Sequence, residues 1–99
     1  MSEKLSIFFA ESAVLDLEEI REYYADQGLN EVGERFLNAI FGLVQGLNDY
    51  PDRGRIVPEF EQPFLRELIH PPFRIVYRRG AEKIEIVRVW RSERLLKLP

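Results

Sequence analysis

Ninety-nine residues, 45% of them hydrophobic and 12% aromatic, supply one modest core and not two, so the chain reads as a single domain spanning 1–99. The absence of cysteine excludes disulfides and thiol chemistry; one histidine, His70, excludes a multi-histidine metal centre; no apolar stretch approaches the roughly 20 residues that span a bilayer. No signal-like pattern opens the chain, so the expectation is a cytoplasmic protein with no metal, no cofactor and no membrane partner.

The net charge of −3 conceals two unlike halves. Residues 1–50 carry three basic and ten acidic side chains, net −7; residues 51–99 carry eleven basic and seven acidic, net +4. One end of such a molecule can hold an anionic partner, while the acidic total argues against indiscriminate nucleic-acid binding. Arginine outnumbers lysine eleven to three, which favours bidentate contacts with phosphate or carboxylate.

In chain order, residues 4–9 set Leu5, Ile7 and Phe9 against Lys4, Ser6 and Phe8, the alternation of a strand. From Glu11 the period changes, and Ala13, Leu17, Ile20 and Tyr24 fall on one helical face with Asp16, Glu19, Glu22 and Asp26 on the other side. Gly28 is a natural stop, because glycine accepts the left-handed conformation at a helix C-terminus. Asn30 is expected to cap a second helix with the stripe Val32, Phe36, Ala39, Leu43 and Leu47, widened by Ile40 and Val44, that Pro51 ends. The short connection predicts an antiparallel helical hairpin. Gly33, Gly42 and Gly46 within the second helix point to close packing or to an approaching partner helix.

After Pro51 the period is two. Residues 55–59 form a short extended piece and residues 64–70 alternate. Pro71-Pro72 interrupts pairing, Phe73, Ile75 and Tyr77 oppose Arg74, Val76 and Arg78, and residues 79–82 make a hairpin turn into residues 83–90. The predicted architecture is α+β, in the order β-α-α-β-β-β: an N-terminal strand and a helical hairpin packed on a small, largely antiparallel sheet. Its uncovered face is expected to carry many arginines. In residues 83–90, Ile84, Ile86, Arg88 and Trp90 oppose Glu85, Val87 and Val89, and the facing of each strand holds unless a bulge reverses its alternation.

The run Asp16-Leu17-Glu18-Glu19-Ile20 with Tyr23-Tyr24 resembles the first helix of the ParE/RelE superfamily of bacterial toxins. Pro51, residues 54–59 and Leu65-Arg66-Glu67-Leu68 resemble the middle block of its ParE-like branch, and residues 73–78 with residues 84–89 resemble the terminal hairpin. The resemblance implies the toxin of a type II toxin–antitoxin module, bound by a cognate antitoxin, with operator DNA reached only through that antitoxin. ParE-like members are inhibitors of DNA gyrase with no catalytic step; RelE-like members cleave mRNA in the ribosome. A third reading is a non-toxic interaction module that keeps the fold. Where the family often has a histidine followed by a basic pair, this sequence has Arg91-Ser92-Glu93-Arg94, which keeps only Arg94 and favours the binding reading.

RNA cleavage through a 2′-hydroxyl would need a base, an acid and cations around the phosphate. Arg66, Arg74, Arg78 and Arg91 offer the cations, Glu59, Glu67 or His70 the base, and Tyr77 or His70 the acid; under the RNase alternative the set is Arg66, Arg74, Arg78 and Glu67. The bland assignments are a solvated His70, a packed Tyr77, and carboxylates paired to nearby arginines. For the gyrase reading the candidate target contacts are Arg88, Arg91 and Arg94. The candidate antitoxin contacts are Trp90, Leu95 and Leu96, and Trp90 has a second reading as a core anchor.

Overall fold

The structure, a computed structural model, describes residues 5–91. Strand β1 (Ser6–Phe9) leads into helix α1 (Glu11–Asp26) and helix α2 (Asn30–Gln45), which a 3₁₀ turn at Gly46–Asn48 extends. Strands β2 (Arg55–Ile56), β3 (Leu65–His70), β4 (Phe73–Arg79) and β5 (Lys83–Arg91) follow. They form one five-stranded sheet in the order β1-β5-β4-β3-β2, with β1 parallel to β5 and every other pair antiparallel. This is the expected α+β arrangement. Among the described residues no helix is long and apolar enough to cross a membrane.

Both helices lie on one sheet face because each carries an apolar stripe. On α1 the stripe is Ala13, Leu17, Ile20 and Tyr24, all buried as the spacing predicts. On α2 the most buried line is Leu37, Ile40 and Val44, continued by Leu47, while Val32, Phe36, Ala39 and Leu43 are only half-buried. The buried line is thus centred on Ile40, Val44 and Leu47 of the predicted stripe, with Leu37 joining it from outside that stripe, and Gly33 lets α2 lie close to α1: a Cβ there would come within 3.1 Å of Tyr24 Cβ. Gly42, in contrast, faces open space. Asn30 does not cap α2; it is the first helical residue, Leu29 precedes it, and no side chain caps the end. Gly28 does take a left-handed conformation, φ +71°, just past the end of α1.

Phe73, Ile75, Tyr77, Ile84, Ile86 and Val89 complete the core beneath the helices. On β5 the simple alternation fails between Ile86 and Arg88, since Val76 pairs with Arg88 and Tyr77 with Ile86. The extra residue, Val87, is a bulge that moves Val89 onto the helix-covered face and leaves Val87 and Trp90 on the other. The uncovered face is thus not simply arginine-rich. It holds a second apolar cluster of Val57, Leu65, Val76, Val87 and Trp90.

Candidate partner-binding site

The end of β5 is built differently from the rest of the sheet. The ladder to β1 finishes where the Ala10 N–H donates to the Ile86 carbonyl at 2.9 Å, yet β5 runs on to Arg91. Side chains of α1 take over its exposed edge. Ser12 Oγ donates to the Val87 carbonyl at 2.6 Å, and a carboxylate oxygen of Asp16 accepts the Val89 N–H at 2.9 Å. The same carboxylate accepts two bonds from the Arg88 guanidinium, from Nε and Nη2, each at 2.8 Å. Asp16 is therefore buried and faces the sheet, a correction to its expected place on the polar side of α1. Burying a carboxylate requires this degree of pairing, and a backbone N–H with a bidentate arginine supplies it. Arg88 in turn lies over the Trp90 ring, with Cζ 4.0 Å from the ring centroid.

Beside this junction a groove of about 210 Å³ opens between α1 and the end of the sheet, lined by Ile20, Tyr23, Tyr24, Phe73, Val89 and Trp90. Asp16, Glu19 and Arg91 supply charges of both signs at its borders. The Arg91 guanidinium sits 5.7 Å from the Tyr23 ring centroid and 6.0 Å from that of Phe73. Trp90 is buried, with 7% exposed, so it is an anchor in the small cluster as well as part of the groove wall. Arg94, Leu95 and Leu96 lie outside the described residues.

The residues considered for RNA cleavage do not converge. Arg74 and Glu67 are buried on the uncovered face: Arg74 donates twice to Glu59, at 2.8 and 2.9 Å, and once to Glu67 at 2.7 Å, and Arg55 donates to Glu67 at 2.6 Å. The hydrogen bonds to Glu59 hold the Arg74 pKa well above its ordinary value against the opposing cost of burial, with Glu67 adding to the effect. Arg78 is exposed and bonds to Glu85 at 3.1 Å. Arg66 is directed to the loops on either side of β2, donating to the carbonyls of Gly54 and Pro63 at 2.9 and 3.0 Å. Tyr77 is fully buried on the helix-covered face, where its hydroxyl accepts the Gly54 N–H and donates to the Pro51 carbonyl, both at 2.9 Å. Burial pushes its pKa up, opposed by the bond from Gly54. His70 is half-buried at the end of β3 with its ring 6.3 Å from that of Phe36, rather than fully solvated. Among the described residues no group of histidine and acidic side chains could hold a metal ion.

Sequence reasoning missed two participants. Asp16 had a signal, since an aspartate among the apolar positions of α1 lies close to the boundary of its stripe. Ser12 had none, because its role depends on where β1 stops along β5.

The fold and the order of its elements are those of a known group of proteins. A family model described as the ParE toxin of the type II toxin-antitoxin system, parDE, matches residues 7–96. The chain belongs to the ParE toxin family. Among solved structures, a chain of the chromosomal ParDE TA system from P. aeruginosa matches with a TM-score of 0.76 and 26% identity, covering 93% of this chain and 100% of that one. No curated protein sequence matches. The residues matched by the ParE model include both the buried Asp16–Arg88 junction and the groove.

Proposed function

We propose that this ParE-family toxin acts by binding rather than by catalysis, that its target is DNA gyrase, and that a cognate antitoxin neutralises it. One observation carries the choice of binding over RNA cleavage. Arg66 and Tyr77 are tied into the loop on the helix-covered face, Arg74 and Glu67 into ion pairs on the opposite face, so no acid, base and cation share one phosphate-sized space. The gyrase assignment follows from the ParE resemblance, and the proposed target contacts are Arg88, Arg91 and Arg94. Of these Arg88 is bound to Asp16 and acts by shaping the surface, while Arg91 and Arg94 are proposed to add positive charge.

Relaxed plasmid, purified gyrase and increasing toxin test the reading. Supercoiling should fall, and the double substitution Arg91→Ala with Arg94→Ala should restore it while the circular-dichroism spectrum stays the same. Full supercoiling in the presence of excess protein that still arrests growth removes gyrase as the target. Equal inhibition by the double variant removes these arginines. The antitoxin is proposed to anchor on Trp90, Leu95 and Leu96, and copurification of the protein encoded by the adjacent reading frame is the direct check.

A further inference from the structure

We propose that the open edge of β1 is a self-association surface: a second copy of this chain lays its own β1 antiparallel along it, about a two-fold axis at Ile7, and joins the two sheets into one. The inference is independent of the target and antitoxin readings.

The strand order leaves β1 and β2 as the two edges of the sheet. Outward-facing backbone groups of an edge strand are a template for another chain unless the edge is blunted. The β2 edge is blunted: it is two residues long, one of them is Arg55, and Pro58 follows closely. The β1 edge is not. Residues 5–9 include no charged side chain and no proline, and the register against β5 runs from Ser6↔Lys83 to Phe9↔Ile86 without a bulge.

The register also says which groups face outward. The Ser6 N–H donates to the Glu82 carbonyl at 3.2 Å and the Ala10 N–H to the Ile86 carbonyl at 2.9 Å, so even-numbered residues of this strand turn their backbone groups toward β5. Those of Leu5, Ile7 and Phe9 turn to the open side. Outward groups at three alternate positions make the strand its own complement. With Ile7 opposite Ile7 of a second copy, Leu5 meets Phe9 at both ends, and about six backbone hydrogen bonds form. The two-fold axis is perpendicular to the sheet, so both helical layers fall on the same side. On that side a groove of about 320 Å³ beside the strand is lined by Phe9, Val14, Leu37 and Phe41, of which Val14 and Phe41 are exposed. Glu18 and Arg21 at its border have opposite signs, so two copies meet there without net repulsion. On the other face Phe8, 53% exposed, comes opposite Ser6 of the second copy. A second copy suits this edge better than an unrelated strand because the pairing is isologous: it uses the open edge of each copy once and closes at two.

Sedimentation of the purified protein over a range of concentrations should show one chain passing to two. Amide hydrogen exchange should assign the contact: the Phe8 N–H, bonded to β5, is protected at every concentration, while those of Ile7 and Phe9 gain protection as the dimer forms. Ile7→Pro removes an outward N–H from each copy and leaves the bonds to β5 untouched, and should weaken dimerisation about tenfold. Phe8→Lys places two like charges diagonally across the join and should weaken it several-fold. Its lysine lies beside Glu85, so the single chain keeps its circular-dichroism spectrum. A protein that stays one chain at all concentrations overturns the proposal. So does a dimer in which Ile7 and Phe9 exchange freely, or one that both variants leave as tight as before, since another surface then makes it. Protection of Ile7 and Phe9 that appears only when the protein encoded by the adjacent reading frame is added gives the edge to that partner and also overturns it. Should Ile7→Pro fail to fold, Phe8→Lys and the exchange pattern of the unaltered protein decide.

Discussion

The two faces of the sheet are made by the same strands and held by different physics. Under the helices, Phe73, Ile75, Tyr77, Ile84 and Ile86 meet Leu17, Ile20, Leu37 and Ile40 in a continuous apolar layer. On the other face, where no described helix lies, a small cluster of Val57, Leu65, Val76, Val87 and Trp90 stands next to the chain Glu59–Arg74–Glu67–Arg55. The first face gains its free energy from area removed from water, which is roughly additive and tolerant of geometry. The second depends on desolvated charges whose attraction only offsets the cost of burying them if every partner is in place. The difference separates stability from definition: the helix-covered face makes the chain fold, and the ion-paired face fixes how the 55–64 segment lies across the strands.

Single substitutions can break this contrast. The largest loss is expected from Phe73→Ala, which empties a fully buried site beneath α2 and should cost about 3–5 kcal/mol. At about 4–8 °C per kcal/mol for a domain of this size, the melting temperature should fall by more than about 12 °C. Glu67→Ala should cost less, about 2–3 kcal/mol. Removing one partner of a buried pair typically costs about 3–5 kcal/mol, but Arg74 keeps both bonds to Glu59. Thermal melts of the two variants side by side decide it. A Glu67→Ala loss as large as that of Phe73→Ala would mean that the ion-paired face contributes to stability on equal terms.

Tyr77 sharpens the comparison because it puts a polar tie inside the apolar face. Tyr77→Phe keeps the ring and strands the buried Gly54 N–H and the Pro51 carbonyl, for an expected loss of about 1–2 kcal/mol. The pH dependence has a definite sign. Burial raises the folded-state pKa above the ordinary value of about 10, so the neutral hydroxyl is favoured in the folded protein. Its contribution is fully present below about pH 10 and is lost as pH rises toward the folded-state value. The melting temperature of the unaltered protein should therefore drop more between pH 9 and pH 11 than that of Tyr77→Phe (about two units chosen to bracket the ordinary value). Equal drops would show that this hydroxyl does not titrate with unfolding.

How much of this was legible follows from which interactions are local. The α1 stripe, the facing of β4 and the glycine stop at Gly28 rest on periodicity and on one residue's conformational freedom, and the sequence displays both. The pairing of Glu59 and Glu67 with arginines was legible as chemistry, though not which arginines. The β5 facing was not, because the bulge at Val87 is set by its register against Val76 and Tyr77, and a strict alternation placed Val89 on the wrong face. The place of Asp16 at the border of its stripe was legible, but its pairing with Arg88 and the Val89 N–H was hidden for the same reason. That pairing follows from β1 ending before β5 does, a mismatch in length between elements almost eighty residues apart in sequence. The groove beside Trp90 inherits both features, so the residue could be named from sequence while its surroundings could not.

The smallest expected effect tests the outer surface of the helical layer, which neither face of the sheet reports on. Gly42 lies within α2 at an exposed position, has no atom within 4 Å of where a Cβ would sit, and does not need a left-handed conformation. Glycine in a helix interior is about 1 kcal/mol less favourable than alanine, through the freedom it retains in the unfolded chain. Gly42→Ala should therefore stabilise the isolated protein by about 0.5–1 kcal/mol and raise its melting temperature by a few degrees. Gly33→Ala should not, because the added methyl would press on Tyr24 at 3.1 Å and α1 would have to yield. The pair separates the two reasons a helix holds glycine. At Gly33 the neighbour is within the chain. At Gly42 any reason must come from outside it, and a partner helix crossing there would meet the new methyl. A Gly42→Ala variant that is more stable alone and binds its antitoxin as tightly as before would show that the outer face of α2 is plain solvent surface. One that is more stable alone and binds more weakly would extend the proposed antitoxin contact at Trp90 around the helical hairpin.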